Sequence, residues 1–229
     1  MEILPIAHFR SPMKSKFGIP RQSGLAESLT GSIVFEPSYR HLEALRGMEE
    51  FDYLWLIWEF SENRGKRNME RGKRILTVRP PRLGGNQRMG VFATRSPFRP
   101  NGLGLSCVRF DRIEEDPALG PVIWVKGADL MDGTPIYDIK PYVTYADSHP
   151  EAKSGFVDQT AWQSLEVEIP EHLARLFSPA DLASLRQTLA LDPRPQYHDD
   201  AERIYGMPFG DYDIRFLVDG GVLKVVDCV

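Results

Sequence analysis

The first 145 residues carry short apolar or alternating segments separated by Gly and Pro, a pattern that predicts strands and turns more than helices. Ser32–Phe35 predicts a short strand after Thr30-Gly31. Phe51–Phe60 (FDYLWLIWEF) is a continuous aromatic and aliphatic run suited to a strand buried on both faces, and periodicity alone leaves a buried helix open. Arg88–Thr94 predicts another strand. Leu105–Ile113 mixes Leu105, Cys107, Val108 and Phe110 with Ser106, Arg109 and Asp111, and Pro121–Val125 and Ile136–Tyr145 complete the set. One helix is expected near Tyr39–Met48, with Ser38 as its N-cap.

After Tyr145 the pattern changes. Ala146–Asp158 is polar and reads as a linker. Pro179–Ala190 predicts a helix. Ser178 caps it, Pro179 takes its first position, Asp181 completes a capping-box pattern, and Leu182, Leu185, Arg186 and Leu189 share a face. Asp192-Pro193-Arg194-Pro195 ends it. Asp211–Cys228 predicts a hairpin turning at Asp219-Gly220-Gly221. The expected fold class is mainly β, with a small β-barrel domain over residues 1–148 and a smaller α+β domain over 149–229.

With 229 residues, 42% of them hydrophobic and 26% charged, the chain has the composition of a soluble globular protein. No apolar run approaches the roughly 20 residues of a membrane helix. Met1-Glu2-Ile3-Leu4-Pro5 lacks the basic flank and apolar core of a signal peptide, and Cys107 and Cys228 make no disulfide framework, so a cytoplasmic protein without membrane partners is expected. The five histidines, at 8, 41, 149, 172 and 198, are scattered, and no metal site is expected. Charge changes the picture more. From Asn63 to Arg99 the chain carries eleven Lys or Arg and one acid, Glu70, while the remainder carries 17 basic and 31 acidic side chains. Such a segment on an acidic protein attracts a polyanion locally.

No Walker loop, no strand–G-x-G-x-x-G–helix and no H-E-x-x-H occurs. Three segments carry candidate chemistry. Lys16–Gly24 offers the planar cation of Arg21 and the amide of Gln22. Arg95–Ser106 packs Arg95, Arg99 and Asn101 among prolines and glycines, and reads as a rigid loop presenting cations and amides. Gly127–Tyr142 places Asp129, Asp132, Asp138, Lys140 and Tyr142 around an Asp132-Gly133-Thr134-Pro135 turn.

These segments, K-F-x-[IV]-P-R-Q, T-V-R-P-P-R-L-G-G-N, M-G-V-F-A-T-R-S-x-F-R-P-N and D-G-T-P-I-x-D-I-K-P-Y, stand here in order. Together they resemble the TrmO (TsaA-like) tRNA adenine-N6 methyltransferases. Asp192–Tyr197 and Tyr205-Gly206 resemble members with an extra small domain. The resemblance implies a β-barrel that binds S-adenosylmethionine, a homodimer, and methyl transfer to N6 of a threonylcarbamoyl-bearing adenosine in the tRNA anticodon stem-loop. It assigns cofactor binding to Pro20, Arg21, Gln22, Ser61, Glu62, Arg95, Leu105, Asp129, Leu130, Asp132, Gly133 and Thr134; many members carry His where this chain has Ser61.

An exocyclic adenine amine is a weak nucleophile, so an acceptor that holds its N–H is expected to help. Asn101 and Asp138 are the candidates for that role, and Tyr142 for stacking on the base. Arg79, Arg82, Arg99 and Lys140 are the candidates for RNA contacts, within a basic run from Arg64 to Arg82 that tracks phosphates. The alternatives are a non-catalytic module that binds cofactor and RNA, and a methyltransferase of the same fold acting on another acceptor.

Overall fold

The computed structural model describes residues 2–63, 69–70, 73–74, 76–83, 87–159, 163–195 and 200–229, with the side chains at 69, 70, 73, 74 and 82 excepted. In chain order the strands are β1 (Ala7–Arg10), β2 (Thr30–Phe35), β3 (Tyr53–Glu59), the two-residue β4 (Met69–Glu70), β5 (Lys73–Arg74), β6 (Thr77–Val78) and β7 (Met89–Gly90), then β8 (Leu103–Asp116), β9 (Gly120–Lys126), β10 (Pro135–Pro141), β11 (Glu166–Glu168), β12 (Tyr205–Phe209), β13 (Tyr212–Asp219) and β14 (Val222–Cys228). The helices are α1 (Thr144–Asp147), α2 (Glu171–Ala174) and α3 (Pro179–Ala190).

Six strands in the order β1-β10-β3-β8-β9-β2 make a sheet that closes on itself, because β1 pairs with both β2 and β10. Every ladder in it is antiparallel. β3 shows what closure does to side chains. Leu54, Leu56 and Trp58 point inward and are buried, while Tyr53 is exposed and Trp55 and Ile57 are half-exposed. The aromatic run is therefore buried on one face only, since a closed antiparallel sheet has an interior and an outside. Phe9, Ile33, Val108, Ile123, Val125, Leu130 and Ile136 fill the rest of that interior. Gly104 is needed there: a Cβ on it would lie 2.3 Å from Trp58 Cε2.

A second sheet, β11-β14-β13-β12, packs with α3 around Leu185, Leu189, Met207, Phe209, Ile214, Phe216 and Leu223. Ser178 caps α3 by accepting from Asp181 N at 3.1 Å, as expected, while its own hydroxyl donates to Asp181 Oδ2 at 2.7 Å. Met13, Ala26 and Leu29 also belong to this second core. Gly210 N donates to Pro12 O at 2.8 Å, Ser28 N to Gln187 Oε1 at 2.7 Å and the Ser184 hydroxyl to Ser28 O at 2.6 Å. The Ser11–Leu29 stretch therefore rests on the C-terminal sheet, although most of its chain neighbours lie in the closed sheet.

Several local expectations are corrected. Tyr39–Met48 is not a helix but part of three 3-10 turns, Pro37–Tyr39, Leu42–Leu45 and Met48–Glu50, and Ser38 lies inside the first turn instead of capping. Only Leu45 is buried among them, so no apolar stripe is present to hold a continuous helix. Arg88–Thr94 gives only β7 and a 3-10 turn at Val91–Ala93, anchored by the single buried Val91. β10 stops at Pro141, which has no N–H for the ladder, and α1 follows where strand was expected. Of the polar 146–158 stretch, Asp147 is tied down, accepting from Trp55 Nε1 at 3.0 Å and Val143 N at 2.8 Å. Hydrogen bonds from Val143 N and Trp55 hold its carboxyl below the usual aspartate range. Strand β1 carries no sequence signal strong enough to announce four residues.

Candidate active site

Four chain segments meet at the end of the closed sheet where β3 finishes and β8 begins. Lys16 Nζ donates to Glu62 O at 2.8 Å and to Asn63 Oδ1 at 2.6 Å, joining the first loop to the 3-10 turn Ser61–Asn63. Phe60 N donates to Gly102 O at 2.8 Å, joining that turn to the Arg95–Asn101 loop. Arg95 Nη1 donates to Gln22 Oε1, which closes the circuit. Gln22 Nε2 in turn donates to Arg21 O at 2.5 Å. Gly24 N donates to Gly127 O at 2.8 Å, bringing in the segment after β9.

Asp129 sits at the centre of this arrangement. Ser106 donates to Asp129 Oδ1 at 2.5 Å and accepts from Trp58 Nε1 at 3.0 Å. Burial raises the Asp129 pKa above the usual aspartate value, and the Ser106 hydrogen bond, the Arg95 charge and the Ser23 N–H oppose that rise. A half-buried carboxylate beside a guanidinium and an amide can meet a ligand that carries positive charge and hydrogen-bonding groups. Ser106, Trp58 and Lys16 were not singled out from the sequence as contacts. The inward parity of Ser106 two residues after Gly104 is the signal that points to it.

The other candidates divide. Pro20 is buried, Arg21 and Ser61 are half-buried and Glu62 is exposed, all beside this mouth. Arg21 also lines a cavity of about 210 Å³ with Lys16, Phe17, Ile19, Leu191 and Asp192. Asn101 is exposed on the loop, and its side chain makes no hydrogen bond among the described residues. Leu105 is 58% exposed on the outside of β8, and Leu130 is buried in the interior, so only its backbone can face a ligand. Asp132 holds the chain together locally, accepting from Ser11 N at 3.1 Å and Lys14 Nζ at 3.0 Å. Gly133 N donates to Phe9 O at 2.8 Å and the Thr134 hydroxyl to Met131 O at 2.7 Å, so the turn carries its own hydrogen bonds.

Lys140 and Tyr142 lie toward the end of β3 opposite the mouth, and Asp138 lines a separate cavity. Asp138 pairs in register with Ile57 and lines a cavity of about 230 Å³ with Phe35, Tyr39, Leu45 and Met48. Its carboxylate accepts from Ile139 N at 3.0 Å and pairs with Lys140 at 3.2 Å. Tyr142 N donates to Tyr53 O at 2.9 Å, at the far end of β3, about 20 Å from Glu59 along the strand. Arg99 turns inward on its own loop, donating to Thr94 O at 2.7 Å and Val91 O at 3.4 Å. Arg79 is exposed. The Arg82 side chain, most of Arg64–Arg74, and Gln196-Tyr197 lie outside what is described.

A family model described as the tRNA-methyltransferase O N-terminal domain matches residues 8–148, and the TrmO C-terminal domain model matches residues 163–229. The chain belongs to the TrmO family. It is 39% identical over 230 residues to the tRNA (adenine(37)-N6)-methyltransferase of Escherichia coli K12, covering 96% of this chain and 94% of that one. A relative from Pseudomonas aeruginosa, 40% identical over 223 residues (93% of this chain, 91% of that one), bears the provisional name S-adenosylmethionine-dependent methyltransferase RcsF. A crystal structure of TrmO from Pseudomonas aeruginosa superposes with a TM-score of 0.77 at 33% identity, covering 100% of this chain and 98% of that chain. Two of the motifs that carried the sequence resemblance supply Gln22 and Arg95, and Asp129 lies three residues before a third.

Proposed function

We propose that this chain transfers a methyl group from S-adenosylmethionine to N6 of an adenosine beside the tRNA anticodon, one that already carries a threonylcarbamoyl group. The observation that carries this is the convergence of Gln22, Arg95 and half-buried Asp129 from three separate segments onto one mouth. The residues fit the cofactor: a raised-pKa carboxylate partnered by Ser106 suits a cationic ligand, and Gln22, Arg95 and Arg21 suit its polar ends. S-adenosylmethionine, when bound, supplies an activated methyl group on a sulfonium. Pro20, Arg21, Gln22, Ser61, Glu62, Arg95 and Asp129 hold it at the mouth, while the Asp132–Thr134 turn and Leu130 support the floor.

The protein's own work is alignment. Asn101, exposed on a loop pinned through Gly102 to Phe60, holds the exocyclic amine by accepting its N–H. Arg79 and the basic run around it hold phosphates in the cytoplasm, where the substrate resides. The division at residue 148 separates the closed sheet from the C-terminal sheet. Homodimerisation belongs to the same proposal. Exposed Leu105 and Tyr53 on the outward face of β8 and β3 support it.

Mass spectrometry of tRNA nucleosides from cells lacking the protein tests the reading. The expected result is loss of one N6-methylated, threonylcarbamoylated adenosine, restored by the purified protein with S-adenosylmethionine. Unchanged tRNA together with methyl incorporation into another acceptor, or none despite proven cofactor binding, overturns it.

A further inference from the structure

Phe92 is 72% exposed, in contrast to the large apolar side chains that fill both cores. Its backbone is nonetheless well fixed. It stands in the 3-10 turn Val91–Ala93, whose first residue is 1% exposed and donates from N to Leu76 O at 2.9 Å. The carbonyl of Val91 also accepts from the Thr94 hydroxyl at 2.9 Å and from Arg99 at 3.4 Å, and Arg99 grips Thr94 O at 2.7 Å. Arg99 therefore spends its guanidinium on holding this turn. Three residues after Phe92, Arg95 reaches Gln22 at the mouth. Exposed Arg88 flanks the turn on the other side, and the half-buried-to-exposed Phe98 (38%) follows in the same loop.

An aromatic ring presented to water on a fixed backbone, with an exposed cation such as Arg88 beside it, is an arrangement that binds unpaired nucleobases: the ring face stacks and the cation can meet a phosphate. Fixing the backbone beforehand removes ordering cost from binding. We propose that Phe92 is a stacking platform for an unpaired base of the RNA, at the rim of the cofactor mouth. This rests on the reading of the chain as a tRNA methyltransferase and names the contact that seats the loop next to its target adenosine.

The test uses the full chain with Phe92→Tyr, Phe92→Leu and Phe92→Ala. Affinity for a synthetic anticodon stem-loop is measured by fluorescence anisotropy at several salt concentrations, and S-adenosylmethionine affinity by calorimetry. Phe92→Ala is expected to weaken RNA binding by about 5- to 150-fold, the range of one lost base–aromatic stack. Phe92→Leu keeps apolar bulk without a π face and is expected to lose nearly as much, while Phe92→Tyr stays close to the parent. The slope of log affinity against log salt is expected to stay unchanged in all three, because no phosphate contact is removed. Cofactor affinity and thermal midpoint are expected to hold.

Parent-like RNA affinity for Phe92→Ala, or full rescue by Phe92→Leu, overturns this inference alone. So does conversion of a dimer to a monomer by Phe92→Ala, which makes the ring an interface between copies. A parent chain that methylates no tRNA overturns the function itself, and is seen before any variant is made.

Discussion

Asp129 is the residue where chemistry and stability oppose each other. Burial holds its carboxyl above the ordinary range against the Ser106 hydrogen bond. A carboxyl pKa raised on folding means that the native chain holds the proton more tightly than the unfolded chain. Its contribution to stability is fully present below the unfolded value of about 3.9 and is lost as pH rises through the folded value. Asp129→Asn is therefore expected to melt higher than the parent at neutral pH, with the gap closing in acid, in thermal scans across pH. The same variant is expected to bind S-adenosylmethionine about tenfold more weakly, the usual loss when one charge-assisted contact disappears. Asn101→Ala is expected to behave in the opposite way. Its side chain is exposed and supports no hydrogen bond among the described residues, so melting and cofactor affinity should hold while methyl transfer to tRNA is lost. An active Asn101→Ala enzyme removes that residue from the chemistry.

At the scale of elements, the Lys16–Gly24 loop depends on the C-terminal sheet. Phe17 and Ile19 pack against the second core, and Gly18 runs with φ +91° against Met207. A Cβ at Gly18 would lie 2.2 Å from Met207 Sδ. Gly18→Ala is expected to cost about 2 kcal/mol in denaturant unfolding and to raise the S-adenosylmethionine Kd, because Pro20–Gln22 must shift. Gly24→Ala is the control: φ is +83° there but nothing lies within 4 Å of the added carbon, so only the backbone cost applies. Helix α3 provides Gln187 and Ser184 to Ser28 in the same stretch. Ser178→Ala removes the acceptor for Asp181 N and is expected to lower stability by about 1 kcal/mol without abolishing activity.

For the molecule as a whole, the decisive asymmetry is charge. Eleven of the 28 Lys and Arg fall between Asn63 and Arg99 in a chain of net charge −4. Binding to tRNA is expected to weaken steeply with salt, as a straight line in log affinity against log salt, measured by anisotropy. A flat line rules out the basic run as the phosphate track. The closed sheet places the proposed site at one end, and Leu105 and Tyr53 are exposed along its outer wall.

What the sequence determined by itself was local. Capping residues and an apolar stripe mark α3 at its observed limits, alternation marks β8, and the two glycines at 220 and 221 mark the β13–β14 hairpin. Each of these is settled by neighbours within a few positions. The motif loops likewise announced the segments that meet at the mouth. Tertiary structure decided the rest. Alternation says which face of β10 looks inward, but only its register against β3 fixes position along the axis: it leaves Asp138 opposite Ile57, lining the cavity with Tyr39, Leu45 and Met48, and leads on to Tyr142 beside Tyr53 at the far end. Tyr39–Met48 lost its helix because too few of its side chains find a core. Ser11–Leu29 joined the second core through contacts with residues more than 150 positions away, a choice made by packing and invisible to any local pattern.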